Sequence, residues 1–176
     1  MGSYEDEMKE SFGAIVASLD DLGPLQKNFL IGRWLDQILW MGGAAKKAQA
    51  RYYRLRLVTV VGAVIVPVLV GLNLTGDVGE AVSWVAVALS LVVAASAAVE
   101  EFFNYGQRWR HYRRTVERLK AEGWLFFELV GDYASDDGHR GAFPRFAARV
   151  EDLLREDVDV YISEVVREKA KEGGKA

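Results

Sequence analysis

The sequence predicts an all-α membrane protein built on a two-helix transmembrane hairpin, and three observations carry that expectation. Residues 57–74 read LVTVVGAVIVPVLVGLNL and residues 81–99 read AVSWVAVALSLVVAASAAV, eighteen and nineteen residues without a charge. As helices, at about 1.5 Å per residue, they match the ~30 Å hydrocarbon thickness of a bilayer. Only TGDVGE (75–80) separates them, which suits a tight hairpin. Neither run alternates apolar with polar residues, and strands of that length are rare. A core helix of a soluble protein this small would rarely stay apolar around its whole circumference.

Charge sets the orientation. Lys46, Lys47, Arg51, Arg54 and Arg56 precede the first run, and Arg108, Arg110, Arg113, Arg114, Arg118 and Lys120 follow the second. The loop between holds only Asp77 and Glu80. Lys and Arg collect on cytoplasmic flanks, so both termini are expected in the cytoplasm. Tyr52 and Tyr53, then Trp84, then Phe102, Phe103, Tyr105 and Trp109, fall where an interfacial aromatic belt belongs. The mean hydropathy of the whole chain is near zero because polar ends dilute the spans. The opening MGSYEDEMKE is acidic, so no secretory signal is expected there.

The cytoplasmic elements follow in chain order. Tyr4, Met8, Phe12, Ile15, Val16 and Leu19 recur at three- and four-residue intervals, an amphipathic helix that DDLGP interrupts. Pro24 suits the first turn of a second helix, which carries Leu25, Phe29, Leu30, Trp34, Ile38 and Met41 to the Gly-Gly at 42–43. From Ala44 a helix is expected to run into span one, and span two to continue far into the cytoplasm. GDYASDDGHRG (131–141) reads as a loop. Phe146, Val150, Leu153, Leu154, Val158, Tyr161, Ile162 and Val165 then mark a last amphipathic helix. The expected organisation is N-terminal helices over 1–43, the extended hairpin over 44–130, and a loop with a final helix over 131–176.

Chemistry is sparse. The chain has no cysteine, so disulfides and thiolate sites are excluded. His111 and His139 have no partner spacing for a metal, and the acids at 132, 136 and 137 lack the calcium-loop pattern. With no phosphate loop, nucleophile elbow or HExxH, no enzyme, metal or cofactor is expected. A net charge of −3 gives no reason to expect nucleic acid. The basic flanks suit anionic lipid instead.

WRHYRRTVERLKAEGWLFFELVGDY (109–133) and AFPRFAARVEDLL (142–154) resemble the cytoplasmic half of the bacterial SLATT family. These are the SMODS- and SLOG-associating two-transmembrane effectors, with a closely allied family of unknown function. The matching positions are Trp109, Tyr112, Arg113, Glu117, Leu119, Lys120, Glu122, Tyr133, Phe143, Phe146 and Glu151, with RWLDQILW and Pro67 upstream. The resemblance implies a multi-pass protein of the bacterial inner (plasma) membrane that forms pores or perturbs membranes under stress or conflict. Residues 1–176 leave no stretch expected to form a nucleotide-sensing domain, and the family offers no catalytic residues to carry over.

Polar and small residues inside span two supply candidate sites. On a helical wheel Ser83, Val87, Ser90, Ala94, Ala97 and Glu101 share one side, continued by Tyr105 and Arg108, while Val85, Val92, Val99 and Phe103 lie opposite. Such a stripe is a packing seam, or it lines a water-filled path with Glu101 at the inner mouth and Tyr105 and Arg108 in a vestibule. In span one, Asn73 is expected to cap the outer end, and Pro67 to bend the helix as a static kink or a hinge. Two function classes stay open. One is a homo-oligomeric, ion-conducting pore with weak cation preference. The other is a membrane-anchored scaffold that recruits a partner through its cytoplasmic helices.

Overall fold

A computed structural model describes the backbone of residues 4–72 and 74–173 and the side chains of 6–72 and 74–156. The expected cap at Asn73 and the apolar positions from Val158 to Val165 lie outside the described side chains. Among the described residues every regular element is helical. Helix α1 is Tyr4–Ser18, α2 is Pro24–Phe29, a π-helical turn spans Leu30–Leu35, and α3 is Asp36–Gly71. Then come α4, Gly76–Phe103, α5, Tyr105–Phe127, a 3₁₀ turn Gly131–Tyr133, and α6, Gly138–Gly173.

Three boundaries differ from those expected. The Gly-Gly at 42–43 does not end a helix: α3 passes through it and through Pro67. Span two does not continue unbroken, because Asn104 takes left-handed φ and ψ of 49° and 41°. The loop before the last helix is shorter than 131–141, because α6 begins at Gly138 and holds Pro144 inside it.

The chain divides into two compact units, residues 1–43 with 112–176 and residues 44–111. The first is organised around Trp34, which is fully buried. Its indole N–H donates to the Leu119 carbonyl at 2.9 Å, so the ring's one polar atom is satisfied. Phe12, Phe127 and Phe146 meet the ring edge-on with centroids at 5.2, 5.5 and 6.2 Å. The π turn places Leu30, Trp34 and Leu35 together in the core. Gly123 is there because nothing larger fits: a Cβ would lie 2.1 Å from Trp34 Cζ2.

Helix α6 carries Phe146, stacked on Phe126 at 4.4 Å, with Val150, Leu153 and Leu154 beneath it. Asp21, from the turn after α1, accepts from the Arg140 N–H at 3.0 Å and so caps α6 from a distant part of the chain. At the other end of the turn, α5 closes with Leu129 at φ 50°. The Val130 N–H donates to the Leu125 carbonyl and the Leu129 N–H to that of Phe126, the paired bonds of a Schellman motif.

Candidate functional site: the apolar hairpin

The second unit contains the two most apolar stretches, and its burial pattern is simple. Between residues 50 and 70 the only positions not exposed are Tyr52, Leu55, Thr59, Gly62, Val66 and Leu69. Between 76 and 103 they are Gly79, Val82, Ala86, Leu89, Val93, Ser96 and Glu100. Both sets advance by alternating steps of three and four, the repeat of left-handed helix pairing. Small residues let the backbones approach. Across the pair, a Cβ on Gly62 would lie 2.1 Å from Val93 Cγ2; at the turn into α4, one on Gly79 would lie 2.1 Å from the Leu74 carbonyl oxygen. Everything off this seam faces outward.

The stripe predicted on α4 lies beside the seam, not on it. Ser83, Val87, Ser90, Ala94, Ala97 and Glu101 are all exposed on the single chain, as are Val85, Val92, Val99 and Phe103. Ser83 and Ser90 donate to the Gly79 and Ala86 carbonyls at 2.9 and 2.7 Å, so each hydroxyl proton is held within its own helix. Thr59 does the same with Leu55. A groove of about 680 Å³ runs along this side, lined by Leu69 and Val70 of α3, by Leu74 of the connecting turn and by α4 residues from Gly79 to Ala94. Pro67 is exposed inside α3.

Below the spans, the two adjacent acids diverge. Glu100 is half-buried on the seam while Glu101 is exposed. Tyr105 stacks on Phe103 at 5.3 Å and lies under the Arg51 guanidinium, 5.6 Å from ring centre to Cζ. Arg108 is exposed. Gly106 admits the Tyr52 ring, which would stand 2.8 Å from an added Cβ.

Most positions singled out after span two belong to the architecture of the first unit. Tyr112 meets Trp40 edge-on, and Arg113 pairs with Glu117 at 3.0 Å. Leu119 is in the core, and Lys120 is half-buried. Glu122 is buried and accepts from the Tyr133 hydroxyl, with Arg149 Nε 3.7 Å away. Burial, then that hydrogen bond, push the Tyr133 hydroxyl well above its usual range. Phe143 packs edge-on to Phe29. Arg33 grips Glu151 through two bonds of 2.7 and 2.9 Å, and the guanidinium holds that carboxyl below the usual carboxylate range. Trp109, in the second unit, is half-buried. Among the described residues no cluster of three or more His, Cys, Asp or Glu is placed to hold a metal.

Several structural positions escaped sequence reasoning: Gly62, Gly123, Asn104, and the pairing of Arg33 with Glu151. The seam escaped as well: its three-four repeat runs through both apolar helices, but the residues beside it are as small and apolar as its own.

These features define an all-helical protein with two helices long and apolar enough to cross a bilayer. The chain belongs to the family described as "Protein of unknown function (DUF4231)", whose model matches residues 36–141. That match runs from the start of α3 through the whole hairpin and α5 to the first turn of α6. No curated protein and no solved structure matches the chain.

Proposed function

We propose that several copies of this chain assemble in the bacterial inner membrane, each with both ends in the cytoplasm, into a pore with weak cation preference. The observation that supports this most is the outward apolar surface of the second unit. Only 6% of the most apolar window of either candidate span is buried. A core helix would hide such residues, and a bilayer is the solvent that suits them. Exposed Lys46, Lys47, Arg51, Arg54, Arg56, Arg108 and Arg110 flank the spans where cytoplasmic anionic headgroups would lie. The resemblance to SLATT effectors adds the role in stress or conflict.

Two spans cannot enclose a path, so conduction requires a homo-oligomer. The stripe from Ser83 to Glu101 is left open on each chain for a neighbour or a lumen. A ring of Glu101 carboxylates near the narrow part outweighs Arg108 in the wider, wetter vestibule. The reading requires no catalytic residue, metal or cofactor.

The test is ion flux through purified protein in liposomes. Glu101→Gln is expected to abolish cation preference, and Glu100→Gln to keep most of it. Cysteines placed at Val78 are expected to react with an impermeant reagent outside intact cells, and cysteines at Ser135 to stay unlabelled. Oligomers that pass no ions at any potential or tension would sink the pore. The membrane-anchored scaffold would then stand, a reading favoured by Leu25 and Trp124, both exposed on the first unit.

A further inference from the structure

Asn104 belongs to two helices at once. Its N–H donates to the Glu100 carbonyl at 2.9 Å, the closing bond of a left-handed cap on α4. Its own carbonyl accepts from Gln107 and Arg108, both at 3.1 Å, and so opens α5. Asn104 alone stands between the two helices. Asparagine is one of the few non-glycine residues that enters the left-handed region readily, yet it is also permitted in an ordinary helix.

A single change at Asn104, from left-handed to right-handed α, would fuse α4 and α5 into one helix. Nothing in the flanking sequence forbids this, since the nearest proline is outside both helices. The bent form is held by contacts that the straight form cannot keep. Phe103 and Tyr105 stack at an interplanar angle of 18°, although residues two apart in a continuous helix point about 200° from each other. The Arg51 guanidinium lies over the Tyr105 ring, 5.6 Å from its centre, tying the bend to α3. In the straight form Glu101, Tyr105 and Arg108 would fall in one line at helical spacing, a line the bend interrupts.

We propose that Asn104 is a two-state joint, bent when Tyr105 is stacked on Phe103 and held by Arg51, and straight when it is released. Releasing it would align Glu101 with Arg108 along one helix face. The inference concerns the chain's own conformation and does not require that the protein conduct ions.

The native chain has no cysteine, so nitroxide labels can be placed at Val92→Cys and Arg110→Cys, both exposed positions. Pulsed electron paramagnetic resonance on the full chain in nanodiscs then reads the bend. A continuous helix places these backbones about 27 Å apart. Wild type is expected to give a major shorter distance with a minor population near that value. Asn104→Ala is expected to raise the long population roughly tenfold relative to the short one, because alanine tolerates the left-handed region poorly. Asn104→Gly is expected to keep the short distance. Tyr105→Ala, which leaves Asn104 alone, is expected to shift the balance the same way by a smaller factor, and it decides the matter if Asn104→Ala does not fold. Unchanged short distances in a helical Asn104→Ala, or in Tyr105→Ala where that is the deciding variant, would overturn the joint.

Discussion

The two units solve the same problem, burying apolar surface, with opposite materials. The first uses large aromatic rings around Trp34, satisfies the buried indole N–H and the buried Glu122 with hydrogen bonds, and holds other charges nearer the surface in pairs such as Arg33 with Glu151. The second brings two helices together along a narrow seam that mixes glycine and alanine with leucine and β-branched residues, and leaves the remaining apolar surface outside. In water the first design draws stability from burial; the second would lose it. The difference teaches that apolar content alone does not say where a core is. The width of the apolar arc around each helix does, because it records which solvent the outer face was built to meet.

Three substitutions or conditions separate the designs. The largest effect is expected from Trp34→Ala, which empties the centre of the first unit and costs about 3–5 kcal/mol. Hydrogen exchange on the full chain should show α5 and α6 amides from Val116 onward losing protection while those of Val60 to Leu69 keep theirs. Loss of protection in both would mean the units do not fold separately.

A middle effect is expected at Gly62. Leucine there must enter the space occupied by Val93, and overpacking of this kind costs about 1–3 kcal/mol. Val64→Leu, two residues away and outward, should stay within about 0.5 kcal/mol. Resistance to denaturation in detergent distinguishes them; equal losses would dissolve the distinction between seam and outer face.

The smallest effect is electrostatic and confined to the first unit. Glu151 is held low by its bonds to Arg33. Burial pushes Asp21 up, but the Arg140 N–H and His139 outweigh it and hold it low. Carboxyls depressed in the folded state contribute stability that is present above their unfolded values near 4. That stability is lost as pH falls through the folded values. Acid should therefore loosen α6, by about 1 kcal/mol or less for the Arg33–Glu151 pair, since water screens both partners. Near-ultraviolet circular dichroism against pH would detect it, and Glu151→Gln should flatten the acid limb. An acid limb unchanged in Glu151→Gln would remove this pair from the account.

How much of this was legible in the sequence varied with the range of the forces involved. The two long apolar helices were legible because runs of eighteen and nineteen uncharged residues without alternation point locally to helix, and Pro24 was legible because its ring fixes the first turn by itself. The start of α6 was not. Gly138 and the residues after it look like loop, and they become helix because Asp21, more than a hundred positions earlier, supplies the missing cap. The Gly-Gly at 42–43 looks like a stop, yet two glycines only weaken a helix that is well supported on both sides. Asn104 carries no warning in composition, because its left-handed turn is one of several conformations the residue accepts. At the stripe from Ser83 to Glu101, the wheel separated it from the opposite valines. It did not find the seam beside it, because small residues crowd both sides of α4.

The alternating three-four repeat has an evolutionary corollary. In such a helix the chain behaves like a text with a reading frame of seven. Inserting or deleting one residue within α4 would turn everything beyond it by about 100°, carrying seam residues into the outward-facing arc and valines into the seam. A seven-residue change would turn it by only about 20° and restore the pairing almost whole. Point substitutions on the outer arc can therefore accumulate freely, while the length of each span can drift only by whole heptads.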